Sequence, residues 1–170
     1  MKIGFTCSCF DLLHTGHILM LKDAKKQCDK LIVGLQTDPT LDRPEKNKPI
    51  QSYEERYIQL EAVKYVDDII KYKTEEELYQ LLKLMRPNIR ILGSDYQDGR
   101  YYTGQELNIP IYFHERNHNY SSSNLRKKIS EKAWLTSLKG RIFRYVSEYI
   151  CKTNKDFKRD SLMGWQNWLF

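Results

Sequence analysis

Apolar and polar positions along this chain change spacing from block to block, from the pattern of a strand to that of a helix and back. Residues Lys2 to Thr6 form a short apolar run, residues 16–27 carry apolar side chains at helical intervals, and Lys30 to Gln36 form a nearly continuous apolar run. Such a run is typical of a strand that is covered on both faces. The order strand, helix, strand predicts one βαβ unit.

The alternation continues through the middle of the chain. It predicts a helix over Ser52 to Lys64, a strand over Val66 to Lys71, a helix over Glu75 to Met85, strands over Ile89 to Leu92 and Ile109 to Phe113, and a helix from Ser122 to Lys132. Ser52 and Glu55 have the spacing of a capping box, which favours a helix start at this point. Strands that alternate with helices predict an α/β fold: a doubly wound parallel sheet, Rossmann-like, with both faces covered.

The C-terminal part of the chain has a different composition. Residues 133–170 contain all three tryptophans, and seven basic against three acidic residues there supply four of the six net positive charges. Apolar residues at helical spacing from Leu135 to Tyr149 predict a C-terminal helical extension. We therefore expect a main domain over residues 1–132 and a basic extension over residues 133–170.

Composition narrows the class of protein. A net charge of +6 suits an anionic partner such as a nucleotide or a sugar phosphate. No apolar run approaches the roughly 20 residues of a membrane helix, and the N-terminus lacks the pattern of a signal peptide, so we expect a cytoplasmic protein. The four cysteines contain no C-x-x-C pair, which argues against a zinc site and favours reduced thiols.

Two histidines lie where the first predicted strand meets the first predicted helix. His14 and His17 are separated by Thr15 and Gly16. A helix N-terminus presents N–H groups and the positive end of a dipole, so it attracts phosphate. Imidazoles at that place can donate hydrogen bonds to phosphate oxygens as negative charge develops. The pattern predicts a site for nucleotide phosphate chemistry.

Three further polar clusters follow predicted strands. They are the loop with Lys46 and Lys48, the stretch Gly93-Ser94-Asp95-Tyr96, and Arg116 followed by Ser121-Ser122-Ser123. Ligands of a doubly wound sheet bind outside the carboxyl ends of its strands, so we expect all these clusters to converge there. The serine triplet opens a helix and predicts a second anion site. His114 and His118 are four residues apart, but they lie at a strand end and in a loop, not on one face of a helix. This spacing alone does not predict that they bind a ligand.

The stretch from Phe10 to His17 resembles the signature of the HxGH nucleotidyltransferases, and among them the glycerol-3-phosphate cytidylyltransferase group. Further matches are Ser52 to Arg56, Tyr65 to Asp68, Gly93 to Tyr96, and residues 116–123, which resemble the second family motif, Arg-Thr-x-Gly-x-Ser-Thr-Thr. The resemblance extends from residue 2 to about residue 130.

This resemblance implies the transfer of CMP from CTP to a small alcohol or polyol phosphate, with glycerol 3-phosphate as the first expectation, and the release of pyrophosphate. The implied catalytic residues are His14, His17, Lys48 and Arg116. The implied nucleotide-binding residues are Cys9, Phe10, Gly16, Lys46, Gly93, Asp95, Ser121, Ser122 and Ser123. Weaker candidates for binding the acceptor are Asp11, Asp38 and Lys73.

The resemblance also implies Mg²⁺ that is carried mainly by the nucleotide phosphates, with no metal site of the protein's own, and a homodimer. Nucleic acid is not an expected partner. Two alternatives stay open. One is an adenylyltransferase of the same fold that uses ATP. The other is a non-catalytic module that binds nucleotides or nucleic acid, which the basic, aromatic extension suggests. Replacing His14 by alanine distinguishes an enzyme from such a module.

Overall fold

A computed structural model describes residues 1–153 of the 170-residue chain. The elements are β1 (Ile3–Ser8), α1 (Thr15–Lys26), β2 (Lys30–Gln36), α2 (Tyr53–Glu61), β3 (Asp68–Tyr72), α3 (Glu75–Met85), β4 (Ile89–Gly93), β5 (Ile111–His114) and α4 (Ser122–Thr153). Single-turn 3₁₀ helices lie at Pro39–Leu41, Ser94–Tyr96 and Gln105–Leu107. The part of the predicted extension from residue 154 onward, which includes Trp165 and Trp168, lies outside the described residues.

The five strands form one parallel sheet in the order β3-β2-β1-β4-β5. The chain winds outward from β1 to β3 on one side and from β4 to β5 on the other, so the strand order reverses between β1 and β4. These two strands pair only at Gly4 with Ile89 and Phe5 with Arg90, near their amino ends. The doubly wound α/β fold is confirmed, and its switch point lies beyond the carboxyl ends of β1 and β4.

The sheet is covered on both faces. One cluster of buried side chains includes Leu21 and Ala24 of α1 and Leu60 of α2. A second, separate cluster includes Leu78 and Leu82 of α3. Within β2, Leu31, Val33 and Leu35 belong to the first cluster and Ile32 to the second. This alternation shows why the strand reads as a continuous apolar run, since successive side chains point to opposite, equally buried faces.

Element boundaries follow the prediction closely in some places and depart from it in others. β2 and α3 have the predicted bounds. β3 begins at Asp68 and not at Val66, because Val66 donates its N–H to the carbonyl of Val63 in the turn after α2. β5 begins at Ile111 and not at Ile109, since Pro110 between them has no N–H to give to a ladder. The predicted capping box at Ser52 is present.

The last helix is longer than its first predicted segment. α4 starts at Ser122 and continues to Thr153, so it contains the helical pattern that was predicted for the extension. The chain divides into two compact units, Met1–Ser122 and Ser123–Phe170, and the first of them holds the whole sheet. In the described part of the chain no helix combines the length and the apolar character that crossing a membrane requires.

Candidate active site

His14 is the N-cap of α1. Its Nδ1 accepts hydrogen bonds from the backbone N–H of Gly16 at 3.1 Å and of His17 at 3.4 Å. Two N–H groups at the start of α1, expected from the sequence to face a phosphate, are therefore engaged by this imidazole. At the start of α1, the atom that can contact a ligand is therefore Nε2 of His14, on the opposite edge of the ring.

The hydrogen bonds of His14 also fix its tautomer. Because Nδ1 accepts, the neutral ring carries its proton on Nε2 and can donate from that atom. The His14 ring stacks on His17, with centroids 3.8 Å apart and an interplanar angle of 18°. Phe10, which is buried, contacts His17 edge-on at a centroid distance of 5.2 Å. The two imidazoles thus form one rigid unit.

Both histidines of this pair are neutral near pH 7. Burial lowers the pKa of His14, and electrostatic interactions with His118 and Arg116 lower it further. Burial lowers the pKa of His17 to about 3, with a further contribution from the charge of His14. A neutral imidazole still donates a hydrogen bond, so the pair is suited to binding oxygens of a phosphate as donors.

Gly16 lies against the segment that follows β5. A Cβ atom added at Gly16 would stand 2.8 Å from the carbonyl oxygen of Tyr120, 2.9 Å from Cε1 of His118 and 3.0 Å from Cε1 of His14. Only glycine permits this approach of backbone to backbone. The first family motif is therefore packed directly on the second, although more than a hundred residues separate them.

Arg116 lies in the loop that follows β5, and its side chain faces the end of β4. Its Nη1 pairs with Oδ2 of Asp95 at 2.9 Å, and both side chains are about half exposed. A Cβ at Gly93, which ends β4, would meet the Arg116 guanidinium at 3.7 to 3.9 Å. Since the charge of Arg116 also lowers the pKa of His14 and His17, it acts on the histidine pair. The structure therefore groups Arg116, Gly93 and Asp95 with the histidines.

Asp11 joins three segments of the chain. Its Oδ1 accepts from the backbone N–H of Ile50 and of Gln51, each at 3.0 Å. Its carbonyl oxygen accepts from Oγ of Ser122 at 3.1 Å. Ser122 itself is thus held to the loop after β1. Binding of an acceptor by Asp11 and of phosphate by Ser121, Ser122 and Ser123 stays a prediction.

Arg56 is a central residue of this region to which sequence reasoning gave no role. It lies on α2 and is only 2% exposed. Its guanidinium donates to the carbonyl oxygens of Cys9 and Gln36, both at 2.7 Å, and of Thr37 at 2.6 Å. Arg56 thereby connects the carboxyl ends of β1 and β2 with the start of α2. The signal was present, because an arginine occupies the apolar face of α2 between Tyr53 and Leu60.

Cys9 contributes its backbone carbonyl to the hydrogen bonds of Arg56. Its carbonyl is bound by Arg56, and its Sγ lies 3.3 Å from the same nitrogen. Burial raises the pKa of the Cys9 thiol, and the charge of Arg56 offsets part of that effect. Cys9 is a free thiol, as are Cys7 and Cys28. The geometry gives Cys9 a role in shaping the loop before the histidines.

The remaining candidates lie at the carboxyl ends of β2 and β3. Asp38 caps the 3₁₀ helix at Pro39–Leu41, accepting from the N–H and the hydroxyl of Thr40 at 2.9 and 2.7 Å. These hydrogen bonds lower the pKa of Asp38, and Lys48 adds to the effect. Lys46, Lys48 and Lys73 are exposed. Roles for these four in binding phosphates or the acceptor stay predictions.

The described residues contain no group of three or more His, Cys, Asp or Glu side chains arranged to hold a metal ion. A parallel sheet with a switch point, a glycine that lets two loops meet there, and a stacked pair of neutral imidazoles beside an arginine are features expected of a protein that handles nucleotide phosphates.

The comparison with known families agrees with this class. The family model described as cytidylyltransferase-like matches residues 5–128, and the chain belongs to this family. The resemblance to HxGH nucleotidyltransferases is thereby confirmed.

Individual relatives are bacterial proteins named bifunctional protein HldE. The one from Caulobacter vibrioides is 39% identical over 97 residues, which are 56% of this chain and 20% of that protein. The one from Aliarcobacter butzleri is 33% identical over 131 residues, 76% of this chain and 27% of that protein. The chain therefore spans about a fifth to a quarter of the length of these relatives.

A solved structure has a similar fold. The lipopolysaccharide core biosynthesis protein from Thermoplasma volcanium is 27% identical in sequence and superposes with a TM-score of 0.54. The match covers 71% of this chain and 99% of that protein. This similarity supports the doubly wound α/β architecture.

Proposed function

We propose that this chain transfers the adenylyl group of ATP to the phosphate of a small phosphorylated sugar or polyol, with release of pyrophosphate. Nucleotidyl transfer follows from the family. The similarity to the HldE proteins favours the adenylyl alternative over the cytidylyl one. The similarity to a lipopolysaccharide core biosynthesis protein makes a sugar phosphate the first acceptor to test. Neither similarity supports glycerol 3-phosphate.

The reaction needs no general base from the protein. A phosphate oxygen of the acceptor, already anionic, attacks the α-phosphorus of the nucleotide. A new phosphorus–oxygen bond forms, the bond between the α-phosphorus and the oxygen that bridges to the β-phosphorus breaks, and pyrophosphate leaves with that oxygen. The protein has to position two polyanions and stabilise the charge that moves onto the leaving group.

The observation that carries this proposal is the state of the histidine pair. His14 has its Nδ1 occupied by two backbone N–H groups, so Nε2–H is the donor it presents. The stacked His17 fixes the orientation of the ring. Arg116, which acts electrostatically on both rings, supplies a permanent positive charge. Preorganised donors beside a cation suit the charge of a pentacovalent α-phosphate and of pyrophosphate.

Mg²⁺ enters this proposal as part of the substrate, bound to the nucleotide phosphates. Mg²⁺ in nucleotide sites is commonly held by phosphates with few protein carboxylates. Lys46 and Lys48, which are exposed on the loop before α2, are placed by the proposal over the phosphates. The proposed homodimer is checked by light scattering on the full chain.

The test is an assay of pyrophosphate release. The purified full chain is incubated with Mg²⁺, each of ATP, CTP, GTP and UTP, and a panel of phosphorylated sugars and polyols that includes glycerol 3-phosphate. We expect release with ATP and a sugar phosphate, and a loss of about 10²-fold or more in kcat for His14→Ala. Lys22→Ala, an exposed position on the same helix, is the control.

Each other result selects a different function. Release with CTP alone would restore the cytidylyltransferase assignment. Binding of nucleotide without turnover, unchanged by His14→Ala, would favour the non-catalytic module. A full kcat in the His14→Ala enzyme would contradict the proposed role of the histidine pair.

A further inference from the structure

The four histidines of the chain are found at the same edge of the sheet. His14 and His17 begin α1, His114 ends β5, and His118 lies in the loop that follows. The ring centroids of His114 and His118 are 6.4 Å apart. The family motif assigns roles to the first two, and nothing in it assigns one to His118.

The hydrogen bonds of His118 leave it one donor to offer. Its Nδ1 accepts from the backbone N–H of Tyr120 at 3.3 Å, so the neutral ring carries its proton on Nε2. That Nε2 is buried and has no hydrogen-bond partner in the part of the chain that the structure describes. A buried donor without an acceptor destabilises the folded protein. The group is therefore poised for an acceptor atom that comes from outside the protein.

The position of His118 identifies the site that it serves. Its Cε1 atom and that of His14 both lie about 3 Å from one point, the place of a Cβ on Gly16. The two carbon atoms are therefore no more than about 6 Å apart. An electrostatic interaction with His118 also contributes to lowering the pKa of His14, as expected for neighbouring rings.

His114 differs in the partner of its Nδ1 and serves as the contrast, since its Nε2 is likewise buried without a hydrogen-bond partner in the described residues. Its Nδ1 pairs with Oδ2 of Asp23 at 2.9 Å, and the same carboxylate accepts from the hydroxyl of Tyr112 at 3.0 Å. A carboxylate partner requires the proton on Nδ1, which leaves Nε2 of the neutral ring as an acceptor. Such a nitrogen repels a phosphate oxygen, so His114 is not a phosphate ligand in this form.

We propose that His118 is a third imidazole of the phosphate site and that its Nε2–H donates a hydrogen bond to a phosphate oxygen of the bound nucleotide. The inference rests on the proposed function, because it needs a nucleotide at the switch point. It adds a ligand-binding residue to the two histidines of the family motif. The segment after β5 then contributes an imidazole to the site in addition to Arg116.

Two substitutions separate this role from a merely structural one. In His118→Asn the side-chain oxygen can replace Nδ1 as the acceptor for the Tyr120 N–H, but nothing replaces Nε2. In His118→Gln the side-chain nitrogen reaches the place of Nε2 and keeps a donor there. His114→Asn is the matched control, since it makes the same change in the neighbouring ring and keeps a donor for Asp23.

The measurement is titration calorimetry of the full chain with Mg–ATP and with Mg–CTP, in the absence of any acceptor. For the nucleotide that the wild type binds more tightly, we expect His118→Asn to raise the Kd about 10- to 100-fold, as for a lost hydrogen bond to a charged group. His118→Gln and His114→Asn should stay within about threefold of the wild type, the scale of effects below 1 kcal/mol.

The outcomes keep the two proposals apart. Normal binding by His118→Asn with impaired binding by His118→Gln would show that His118 only holds the loop, and equal behaviour of the two variants would also overturn its role. Either result leaves the proposed function standing when the wild type binds nucleotide. A wild-type chain that binds neither nucleotide overturns both proposals.

A second readout needs no variant. With nitrogen-15 in the histidine side chains, the four rings give a spectrum simple enough to assign. Addition of the nucleotide with Mg²⁺ should shift the Nε2 resonance of His118 and leave the Nδ1 of His114, which is held by Asp23, nearly unchanged. An unmoved His118 Nε2 signal at saturating nucleotide would overturn the inference.

Discussion

A methyl group on Gly16 would enter a space that is already occupied from three sides. The added Cβ would stand 2.8 Å from the Tyr120 carbonyl oxygen, 2.9 Å from Cε1 of His118 and 3.0 Å from Cε1 of His14. Ordinary contact begins at 3.4 Å, so the neighbours must retreat by about 0.4 to 0.6 Å. Two of the three are imidazoles of the proposed phosphate site, and the third is rigid backbone.

We expect Gly16→Ala to lower the activity of the enzyme more than its stability. Overpacking of this kind costs about 1–3 kcal/mol, and alanine returns up to about 1 kcal/mol because it favours the helix. The unfolding free energy of Gly16→Ala should therefore fall by no more than about 3 kcal/mol. Since a misplacement of about 1 Å can cost 10²-fold in rate, a shift of half that size should lower kcat about tenfold or more.

The assay compares pyrophosphate release and urea unfolding for Gly16→Ala and a matched control. In Gly34→Ala the added Cβ also meets neighbours at 2.8 and 2.9 Å, but these are Phe5 and Cys7 inside the sheet. The control should lose stability and keep kcat within about twofold in its folded fraction, because core overpacking leaves the site geometry intact. A Gly16→Ala enzyme with the kcat of the wild type would refute the close packing of the two motifs as a catalytic requirement.

Three further changes test other parts of the account by urea unfolding. Arg56→Met should lower the unfolding free energy by about 3 kcal/mol, since it leaves several buried carbonyl groups without their donor, and a loss below about 1 kcal/mol would argue against that network. The pKa of His17 is about 3 in the folded chain, so the unfolded chain binds a proton first as the pH falls below about 6.5. Stability from this group is complete above that pH and should drop by about 2 kcal/mol between pH 7 and pH 5, a component that His17→Gln should lack. Asp11→Ala should cost about 2 kcal/mol through two lost backbone hydrogen bonds, and Asp11→Asn should recover most of it, unless the negative charge itself is required.

The parts of the fold that the sequence predicts well are those with strong local patterns. β2 is a run of apolar residues covered on both faces, and α3 has clear amphipathic spacing. The edge strands β3 and β5 are less well predicted, because their first residues depend on a turn and on a proline. The local periodicity does not show which of several apolar residues is the first to pair with the neighbouring strand.

Some features of the candidate site can also be predicted from the sequence, and others cannot. The histidine motif predicts a phosphate site at a helix start, and the structure places the two histidines of that motif at the switch point of the sheet. The sequence could not show that Nδ1 of His14 turns back onto the helix, because the local geometry of the cap decides it. The contact of Gly16 with Tyr120 and the pairing of Arg116 with Asp95 depend on distant segments that only the folded sheet brings together.

Arg56 shows what a pattern alone misses. An arginine on the apolar face of α2 can be taken for a side chain that reaches solvent along the helix. The structure instead buries the guanidinium against the carbonyl groups of Cys9, Gln36 and Thr37. Carbonyl acceptors leave no trace in a sequence, so this network becomes visible only when the ends of β1 and β2 are placed next to each other.

Adenylyl transfer to a sugar phosphate is tested most directly by phosphorus NMR of a reaction mixture that contains the full chain, Mg²⁺, ATP and a sugar phosphate. The proposed function predicts the appearance of a diphosphate diester that links the nucleoside to the sugar, together with an equal amount of pyrophosphate, and formation of both about 10²-fold or more slowly by the His14→Ala enzyme. Formation of orthophosphate without the diester, or formation of the same products by His14→Ala at the wild-type rate, would contradict it.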